Sequence, residues 1–258
     1  TRFKAQLERV EKERNTQKQR RSNCLSVSLI GYTNAGKSTI MNALTNSGLL
    51  VEDRLFATLD STTRLLEEDS RPKILLSDTV GFINNLPHEV VAAFRSTLST
   101  VKDADLLLQI VDASDNVDEH LKTTAEVLED LDALCIPILK VFNKIDRISP
   151  TRLLMLEKMY PDAVFVSVIN SAENGQDNSS SLVENIRKKI VLFFNERMKT
   201  VTIRLDYLHS QQLANIYEWS RVDNIDYQEE GIMMTLTTIP GNLERLRHQL
   251  GSGFTEMG

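Results

Sequence analysis

The chain has 258 residues, of which 41% are hydrophobic, and it carries a formal net charge of −6. This length and apolar content are typical of one full globular domain with a smaller one beside it. The acidic balance argues against general nucleic-acid binding by the whole chain, and no apolar run approaches the roughly 20 residues of a membrane-spanning helix.

The first 21 residues form a basic segment with a helical pattern. They contain eight basic and three acidic side chains, which gives +5 in a chain that is negative overall. Phe3, Leu7 and Val10 repeat at i, i+4 and i+7, a narrow apolar stripe that suits docking against another helix. The pattern leaves open whether residues 1–21 are a solvated tail or a helix that contacts RNA. Because the sequence begins with Thr1 in the middle of this pattern, we expect it to be a fragment of a longer protein.

A phosphate-binding loop is predicted at residues 31–38, Gly-Tyr-Thr-Asn-Ala-Gly-Lys-Ser. The preceding run Leu25–Ile30 alternates apolar residues as a buried strand does, and a helical pattern follows the loop. Strand, glycine loop and helix are the context in which the pattern G-x-x-x-x-G-K-[ST] binds phosphate. The Lys37 ammonium would contact the β- and γ-phosphates, and the Ser38 hydroxyl would bind Mg²⁺. The nucleotide-binding residues expected here are Asn34, Ala35, Gly36, Lys37, Ser38 and Thr39.

Residues 55–64 are expected to sense the γ-phosphate. The segment is rich in hydroxyl groups and has little apolar periodicity, as a nucleotide-sensing loop would. One threonine there should reach both Mg²⁺ and the γ-phosphate. We expect this to be Thr58, with Thr62 as the alternative.

The tetrapeptide Asp78-Thr-Val-Gly81 completes the predicted phosphate and metal site. It follows a predicted strand, Lys73–Ser77, so Asp78 would lie at the carboxyl end of a buried strand and hold Mg²⁺. Gly81 would offer its N–H to the γ-phosphate. The expected catalytic residues are therefore Lys37, Thr58 and Gly81, and the expected metal ligands are Ser38, Thr58 and Asp78.

A second motif, Asn143-Lys-Ile-Asp146, predicts the identity of the base. It follows the predicted strand Ile138–Phe142, about a hundred residues after the phosphate loop. The Asp146 carboxylate can accept hydrogen bonds from N1–H and the 2-amino group of guanine. Adenine offers neither donor and would leave a buried carboxylate unpaired. Asn143 should tie the loops together and touch the purine edge, and the stem of Lys144 should lie over the ring.

The last contact to the base is expected after the predicted strand Val164–Ile169. There Ser171 and Ala172 open a loop that would offer a backbone N–H to the guanine O6. Ser167 and Val168 provide an alternative register for the same contact, and the sequence leaves both registers open.

Strands alternate with helices through this part of the chain. Asp105–Asp112 has the pattern of a buried strand, and amphipathic helices are predicted at Asp118–Leu134 and Leu182–Glu196. Such alternation predicts an α/β fold with a mostly parallel sheet that is covered by helices on both faces.

The pattern changes after Lys199 and predicts a small α+β domain. Its expected elements are the strand Val201–Leu205, the helix Ser210–Ser220, the hairpin strands Val222–Gln228 and Ile232–Thr238, and a short helix at Asn242–Leu250. In the first of these helices Leu213, Ile216 and Tyr217 should face inward. We assign residues 1–21 to the end of an N-terminal helical segment, 22–197 to the nucleotide-binding domain, 198–250 to the C-terminal domain and 251–258 to a disordered tail.

The two cysteines bear on the compartment of the protein. Cys24 and Cys135 have no metal-ligand spacing, and we interpret them as buried thiols. Free thiols are typical of a reducing compartment, which predicts a cytoplasmic protein. We also expect a monomer without a membrane span and without DNA as a partner.

Taken together, these motifs resemble those of the HflX family, ribosome-associated GTPases of the translation-factor-like P-loop class. The resemblance is carried by Gly31–Thr39, by Leu55-Phe-Ala-Thr-Leu-Asp60, by Asp78-Thr-Val-Gly-Phe-Ile83 and, most specifically, by Leu86-Pro-His-Glu-Val-Val-Ala-Ala-Phe-Arg95. It implies a GTP-driven switch that binds GTP or GDP with Mg²⁺. It also implies association with the RNA and protein of the large ribosomal subunit, in ribosome splitting, rescue or biogenesis. Residues 1–21 resemble the last helical stretch of the family's N-terminal domain.

The resemblance also bears on hydrolysis. Phe82 follows Asp78-Thr-Val-Gly81, where Ras-like enzymes have a glutamine that orients the attacking water. We therefore expect hydrolysis that is slow in isolation and stimulated by a partner or by K⁺. In similar GTPases an asparagine at the position of Asn34 helps to bind K⁺, which neutralises developing charge; whether Asn34 does so or only shapes the loop stays open. The alternative is a nucleotide-regulated binding module with negligible turnover.

Overall fold

The computed structural model describes residues 24–45, 62–67, 70–79, 81, 100–168, 178–251 and 254–257. The predicted N-terminal helix, the threonine-containing loop at 55–61 and the family-specific segment at 86–95 lie outside these ranges. The chain divides into two compact units. The first consists of Ser26–Leu66 and Leu75–Val191, and the second includes Glu67–Ile74 and Leu192–Gly258.

The first unit is built on a six-stranded sheet with the order β2-β3-β1-β4-β5-β6. Its strands are β1 (Leu25–Ile30), β2 (Thr63–Leu65), β3 (Ile74–Asp78), β4 (Leu106–Asp112), β5 (Ile138–Asn143) and β6 (Val164–Phe165). Its helices are α1 (Lys37–Leu44), α2 (Val117–Asp130), α3 (Pro150–Met159) and α4 (Asn178–Asn195). Strands β1, β4, β5 and β6 pair in parallel, whereas β2 pairs antiparallel with β3. This is the mostly parallel α/β fold that the alternating pattern predicts.

The sheet is buried on both faces because helices cover it. All seven residues of β4 are buried, so the strand reads as the continuous apolar run expected of a covered parallel sheet. Leu107 packs with Leu128 of α2, and Val111 packs with Leu156 of α3. The carboxyl ends of the parallel strands lie at one edge of the sheet. The polar residues of the predicted motifs follow these strand ends in the sequence.

The second unit is built on a four-stranded antiparallel sheet with the order β10-β7-β9-β8. Its elements are β7 (Lys199–Leu205), α5 (Leu213–Trp219), β8 (Arg221–Gln228), β9 (Gly231–Thr238), α6 (Pro240–Leu250) and β10 (Phe254–Met257). One face of the sheet and the two helices share a core that includes Ile203, Ile216, Met234 and Leu246. On strands β7 and β9 threonines face each other, with Oγ1 atoms 2.8 Å apart for Thr200 and Thr237.

Several sequence expectations are wrong in detail. Strand β6 ends at Phe165 rather than Ile169, and helix α3 was not predicted at all. The helix expected at Ser210–Ser220 is a 3₁₀ turn, Tyr207–Gln212, followed by the shorter α5. Tyr217 is 47% exposed instead of facing inward, because Leu213 and Ile216 fill the inner face of α5.

Two further expectations, the disordered tail and the buried cysteines, fail for physical reasons. Residues 254–257 of the expected tail form β10, which satisfies the backbone groups along the free edge of β7 by antiparallel pairing. Cys135 is exposed and Cys24 is only partly buried. Cys135 lies in the turn between α2 and β5, so its apolar neighbours in sequence do not form a core around it. Among the described residues, no helix is both long enough and apolar enough to cross a membrane.

Candidate nucleotide-binding site

The loop between β1 and α1 adopts a conformation that two of its glycines make possible. Gly31 has φ +140° and Gly36 has φ +95°, a region that side chains disfavour. A Cβ atom at Gly31 would lie 2.2 Å from the carbonyl oxygen of Ile110, and one at Gly36 would lie 2.3 Å from Asn143 Nδ2. Asn34 also has a positive φ, of 61°. The loop therefore turns tightly against β4 and the end of β5, as a phosphate-binding loop must.

Lys37 is the first residue of α1 and points back over this loop. Its Nζ donates to the carbonyl oxygens of Tyr32, at 2.9 Å, and Gly31, at 3.2 Å. The residue is only 7% exposed, and this burial lowers the pKa of the Lys37 ammonium to about 8, although the nearby Asp78 opposes the shift. Both acceptors are uncharged carbonyl oxygens, so the buried ammonium is suited to bind an anion.

Ser38 and Asp78 come together as the predicted metal ligands require. The Ser38 hydroxyl donates to Asp78 Oδ2 at 2.6 Å, although the two residues are separated by 40 positions in sequence. Asp78 ends β3 and is buried, and the hydroxyl of the following Thr79 donates to the Leu29 carbonyl at 2.6 Å, which ties β3 to β1. A hydroxyl and a carboxylate are the hard oxygen ligands that Mg²⁺ prefers, so this donor set fits the metal.

Gly81 lies beside the amine of Lys37, as expected of a residue that contacts the γ-phosphate. A Cβ atom at this position would be 2.9 Å from Lys37 Nζ and 2.8 Å from Thr33 Cα. Thr58, the expected third ligand, lies outside the described residues, and its role stays a prediction. The alternative, Thr62, accepts a hydrogen bond from the Asp78 N–H through its carbonyl oxygen at 2.9 Å.

The residues predicted to bind the base contact the phosphate loop directly. Asn143 Nδ2 donates to the Ala35 carbonyl at 2.9 Å, and Lys144 Nζ donates to the Asn34 carbonyl at 2.7 Å. Asn143 is 3% exposed, and its Oδ1 atom has no hydrogen-bond partner among the described residues. A buried acceptor without a partner is costly, so this atom is suited to accept a donor from a ligand or a neighbouring loop.

Asp146 is contacted by Ser167, the alternative residue of the last predicted loop. The Ser167 hydroxyl donates to Asp146 Oδ1, and the Ile145 N–H donates to the Val166 carbonyl at 3.3 Å. Ser167 therefore lies beside the residue predicted to bind guanine, and Asp146 is exposed rather than buried as expected. Ser171 and Ala172 lie outside the described residues, so the first register stays a prediction.

Two features of the site were not predicted from the sequence. Asp112 forms an ion pair with Lys144, with Oδ2 and Nζ 2.6 Å apart. His120 of α2 is 5% exposed and stacks on the ring of Tyr32, the second residue of the phosphate loop, at a centroid distance of 4.3 Å. The aspartate at the end of a predicted strand was the available signal for the first. No pattern in the sequence pairs His120 with Tyr32.

Comparisons with known proteins indicate which family the chain resembles. Residues 26–144 match a protein family described as 50S ribosome-binding GTPase. The chain is 40% identical over 251 residues to GTPase HflX of Gluconacetobacter diazotrophicus, which covers 97% of this chain and 54% of that protein. It is 43% identical over 243 residues to GTPase HflX of Escherichia coli K12, which covers 92% of this chain and 55% of that protein. The chain thus spans about half the length of the curated relatives it matches.

A similar chain has also been solved by crystallography. A point variant of the protein SsGBP is 28% identical to this chain with a TM-score of 0.50, over 67% of this chain and 57% of the other. The similarity covers about two thirds of this chain.

Proposed function

Over nearly its whole length this chain belongs to the HflX family of GTPases, and from that membership we propose a specific activity. The chain binds GTP with Mg²⁺, hydrolyses it slowly, and acts as a molecular switch that associates with the large ribosomal subunit. The ribosomal partner is proposed because the matching family is described as 50S ribosome-binding. We further propose that the protein is a cytoplasmic monomer that contacts both RNA and protein of the subunit.

One observation supports the nucleotide assignment above the others. The base-binding residues Asn143 and Lys144 donate to the carbonyls of Ala35 and Asn34, within the loop that is predicted to hold the phosphates. A site for a purine and a site for a phosphate chain are therefore adjacent and joined by hydrogen bonds. A single ligand that carries both groups, a guanine nucleotide, fits this arrangement.

Ser38 and Asp78 would hold Mg²⁺ at the phosphate end of the site, and Thr58 is the proposed third ligand. When bound, the metal ion supplies positive charge that stabilises the charge developing on the phosphate oxygens. Lys37 adds a second positive charge, and the buried position of its amine strengthens its interaction with the phosphates. We propose that residues 55–64 and 78–95 respond to the γ-phosphate, as switch segments do.

Hydrolysis requires a water molecule that is positioned for attack. Phe82 stands where Ras-like enzymes have the orienting glutamine, and its ring can neither donate nor accept a hydrogen bond. We propose that charge from K⁺ bound near Asn34, or from the ribosome, compensates for this. The left-handed backbone of Asn34 leaves its carbonyl pointing at Lys144, so the loop conformation at this residue is fixed.

The test is GTP turnover by this chain in KCl and in NaCl, each with and without large ribosomal subunits. We expect slow turnover that K⁺ raises and that subunits raise by at least about tenfold. Competition by unlabelled nucleotides should show that GTP binds far more tightly than ATP. Adenine offers no hydrogen-bond donor at the two positions from which guanine would donate to Asp146. Equal binding of GTP and ATP would overturn the guanine assignment. Turnover that is unchanged by subunits would overturn the ribosomal partner, and equal rates in the two salts would overturn the role of K⁺.

The second candidate function is a binding module whose affinity depends on the bound nucleotide and whose turnover is irrelevant. The observation in its favour is Phe82. A single-turnover assay on large ribosomal subunits separates the two functions. Release of phosphate within the lifetime of the complex supports the switch that hydrolyses GTP, whereas stable binding with intact GTP supports the module.

A further inference from the structure

Asp112 ends strand β4 beside the residue that begins the guanine motif. Its Cα is in register with Asn143 of β5, and the N–H of the next residue, Ala113, donates to the Asn143 carbonyl at 2.9 Å. The parallel pairing of β4 and β5 thus brings the Asp112 carboxylate to the edge of the sheet at which the nucleotide site lies.

The two oxygens of this carboxylate have different partners. Oδ2 lies 2.6 Å from Lys144 Nζ, whereas Oδ1 accepts from the N–H and the hydroxyl of Ser114, at 2.9 Å and 2.6 Å. Burial raises the pKa of Asp112, but the hydrogen bonds from Lys144 and Ser114 outweigh it and leave the pKa below its ordinary value. One oxygen therefore shapes a local turn, and the other balances the charge of Lys144.

Lys144 combines a flexible side chain with an unfavourable backbone conformation. Its φ of 60° is a left-handed value that residues other than glycine seldom adopt. Its ammonium donates to the Asn34 carbonyl at 2.7 Å as well as to Asp112, and the side chain is 22% exposed. Without a negative partner, we expect this ammonium to point into solvent, because ordering a lysine side chain costs conformational entropy.

We propose that Asp112 is a positioning residue for guanine-nucleotide binding, which holds the Lys144 ammonium against Asn34 so that the base loop and the phosphate loop keep one relative arrangement. Asp112 itself need not touch the nucleotide. It acts through Lys144, whose stem is expected over the purine and whose amine bridges two loops. This inference rests on the proposed binding of guanine nucleotides.

A purely structural role for Asp112 predicts a different result, and the chain offers a matched control. Asp112→Asn keeps an oxygen for the Ser114 turn but removes the charge that holds Lys144. Ser114→Ala removes one hydrogen bond of the turn but leaves the ion pair intact. If the turn matters, Ser114→Ala should be affected at least as strongly as Asp112→Asn; if Lys144 is what matters, only Asp112→Asn should be affected.

The experiment measures release of fluorescent GDP from wild type, Asp112→Asn, Ser114→Ala, Lys144→Gln and the double variant Asp112→Asn/Lys144→Gln. Asp112→Asn should release GDP roughly tenfold faster, and Ser114→Ala should stay within about twofold of wild type. If Asp112 acts through Lys144, the double variant should release GDP no faster than Lys144→Gln. Urea denaturation of each variant establishes that it is folded before release is measured.

Each outcome supports or overturns a stated claim. Multiplied effects in the double variant, or equal acceleration by Ser114→Ala, would overturn the positioning role of Asp112. Wild-type protein that does not bind the fluorescent GDP would overturn the proposed function instead. Tight binding by the wild type with no change in Asp112→Asn would overturn only this inference.

Discussion

The two units of this chain differ in whether they bury charged side chains. At the carboxyl ends of the parallel strands, the first unit buries Lys37, Asp78 and Asp112 and holds Asn34 and Lys144 in left-handed conformations. In the described part of the second unit, no charged side chain is buried, the buried polar side chains are the uncharged Ser220, Thr237, Thr238 and Asn242, and only glycines have a positive φ. Since buried charge and strained backbone reduce stability, the first unit gives up stability at its proposed ligand site, and the second unit buries no charge in its described part.

The sharpest test of this contrast is a single methyl group placed in each unit. Gly36→Ala should weaken GDP binding about a thousandfold, because the new Cβ would lie 2.3 Å from Asn143 Nδ2 at a φ of +95°. Asn143 cannot move aside cheaply, since it is buried and its amide already donates to Ala35. Isothermal titration calorimetry with GDP measures the change.

The matched control is Gly241→Ala in helix α6 of the second unit. No atom lies within 4 Å of a Cβ at Gly241, and alanine is the better helix former. GDP affinity should therefore be unchanged and the melting temperature equal or slightly higher. If the two alanines weakened GDP binding equally, the special geometry of the phosphate loop would be refuted.

The second test removes apolar volume from the core of the second unit. Ile216 is fully buried in α5, so Ile216→Ala should lower the free energy of unfolding by about 3 kcal/mol through a cavity and lost burial. GDP release from the first unit should stay at the wild-type rate. Urea denaturation and fluorescent GDP release measure the two quantities on the same protein.

The control for this variant is Glu218→Ala, an exposed position on the same helix. It should change the free energy of unfolding by less than about 0.5 kcal/mol. Faster GDP release in Ile216→Ala alone would contradict the separation of roles between the units, since a packing defect would then act on the nucleotide site.

The smallest expected effect is on the pH dependence of binding. The pKa of Lys37 is lowered to about 8 by burial, and a phosphate beside the ammonium would raise it again. GDP affinity should therefore be constant below about pH 8, where Lys37 is already charged, and fall towards tenfold per pH unit above it, where binding must take up a proton. Calorimetry between about pH 7 and pH 9, in buffers of different protonation enthalpy, measures both affinity and proton uptake.

Lys37→Gln provides the control for this titration. It should bind GDP weakly at every pH and without proton uptake, because the titrating amine is gone. A wild-type affinity that stays constant up to about pH 9 would indicate that the Lys37 amine is not neutralised by its burial.

Local patterns predicted those strands of the first unit whose alternating or continuous apolar residues lie within the strand itself. The alternating run at Leu25–Ile30 is strand β1 with the bounds predicted, and β4 and β5 end within one residue of their expected positions. The pairing of Ser38 with Asp78 also followed from motif order, because parallel strands carry their ends to one edge of the sheet.

The features that were missed depend on contacts between distant segments. The Asp112–Lys144 pair joins two strand ends, and although Asp112 stands at the end of a predicted strand, nothing in the sequence indicates that Lys144 is its partner. Strand β6 ends at Phe165, although Val166 still donates to the Phe142 carbonyl and Ser167 contacts Asp146, and the apolar residues beyond Phe165 concealed this end. The tail was misjudged since residues at the end of a chain are commonly disordered, whereas pairing with β7 decides the conformation of residues 254–257.

The pairing of β10 with β7 has a consequence for self-association of the protein. Strand β10 covers one edge of β7, whose inner residues Ile203 and Leu205 are fully buried. Loss of residues 251–258 would leave β7 as an open edge with unpaired backbone groups beside an apolar core. Such an edge can pair with the same edge of a second molecule and begin self-association. Strand β10 forms the edge in its place, and its four residues offer a shorter edge for such pairing than the seven residues of β7.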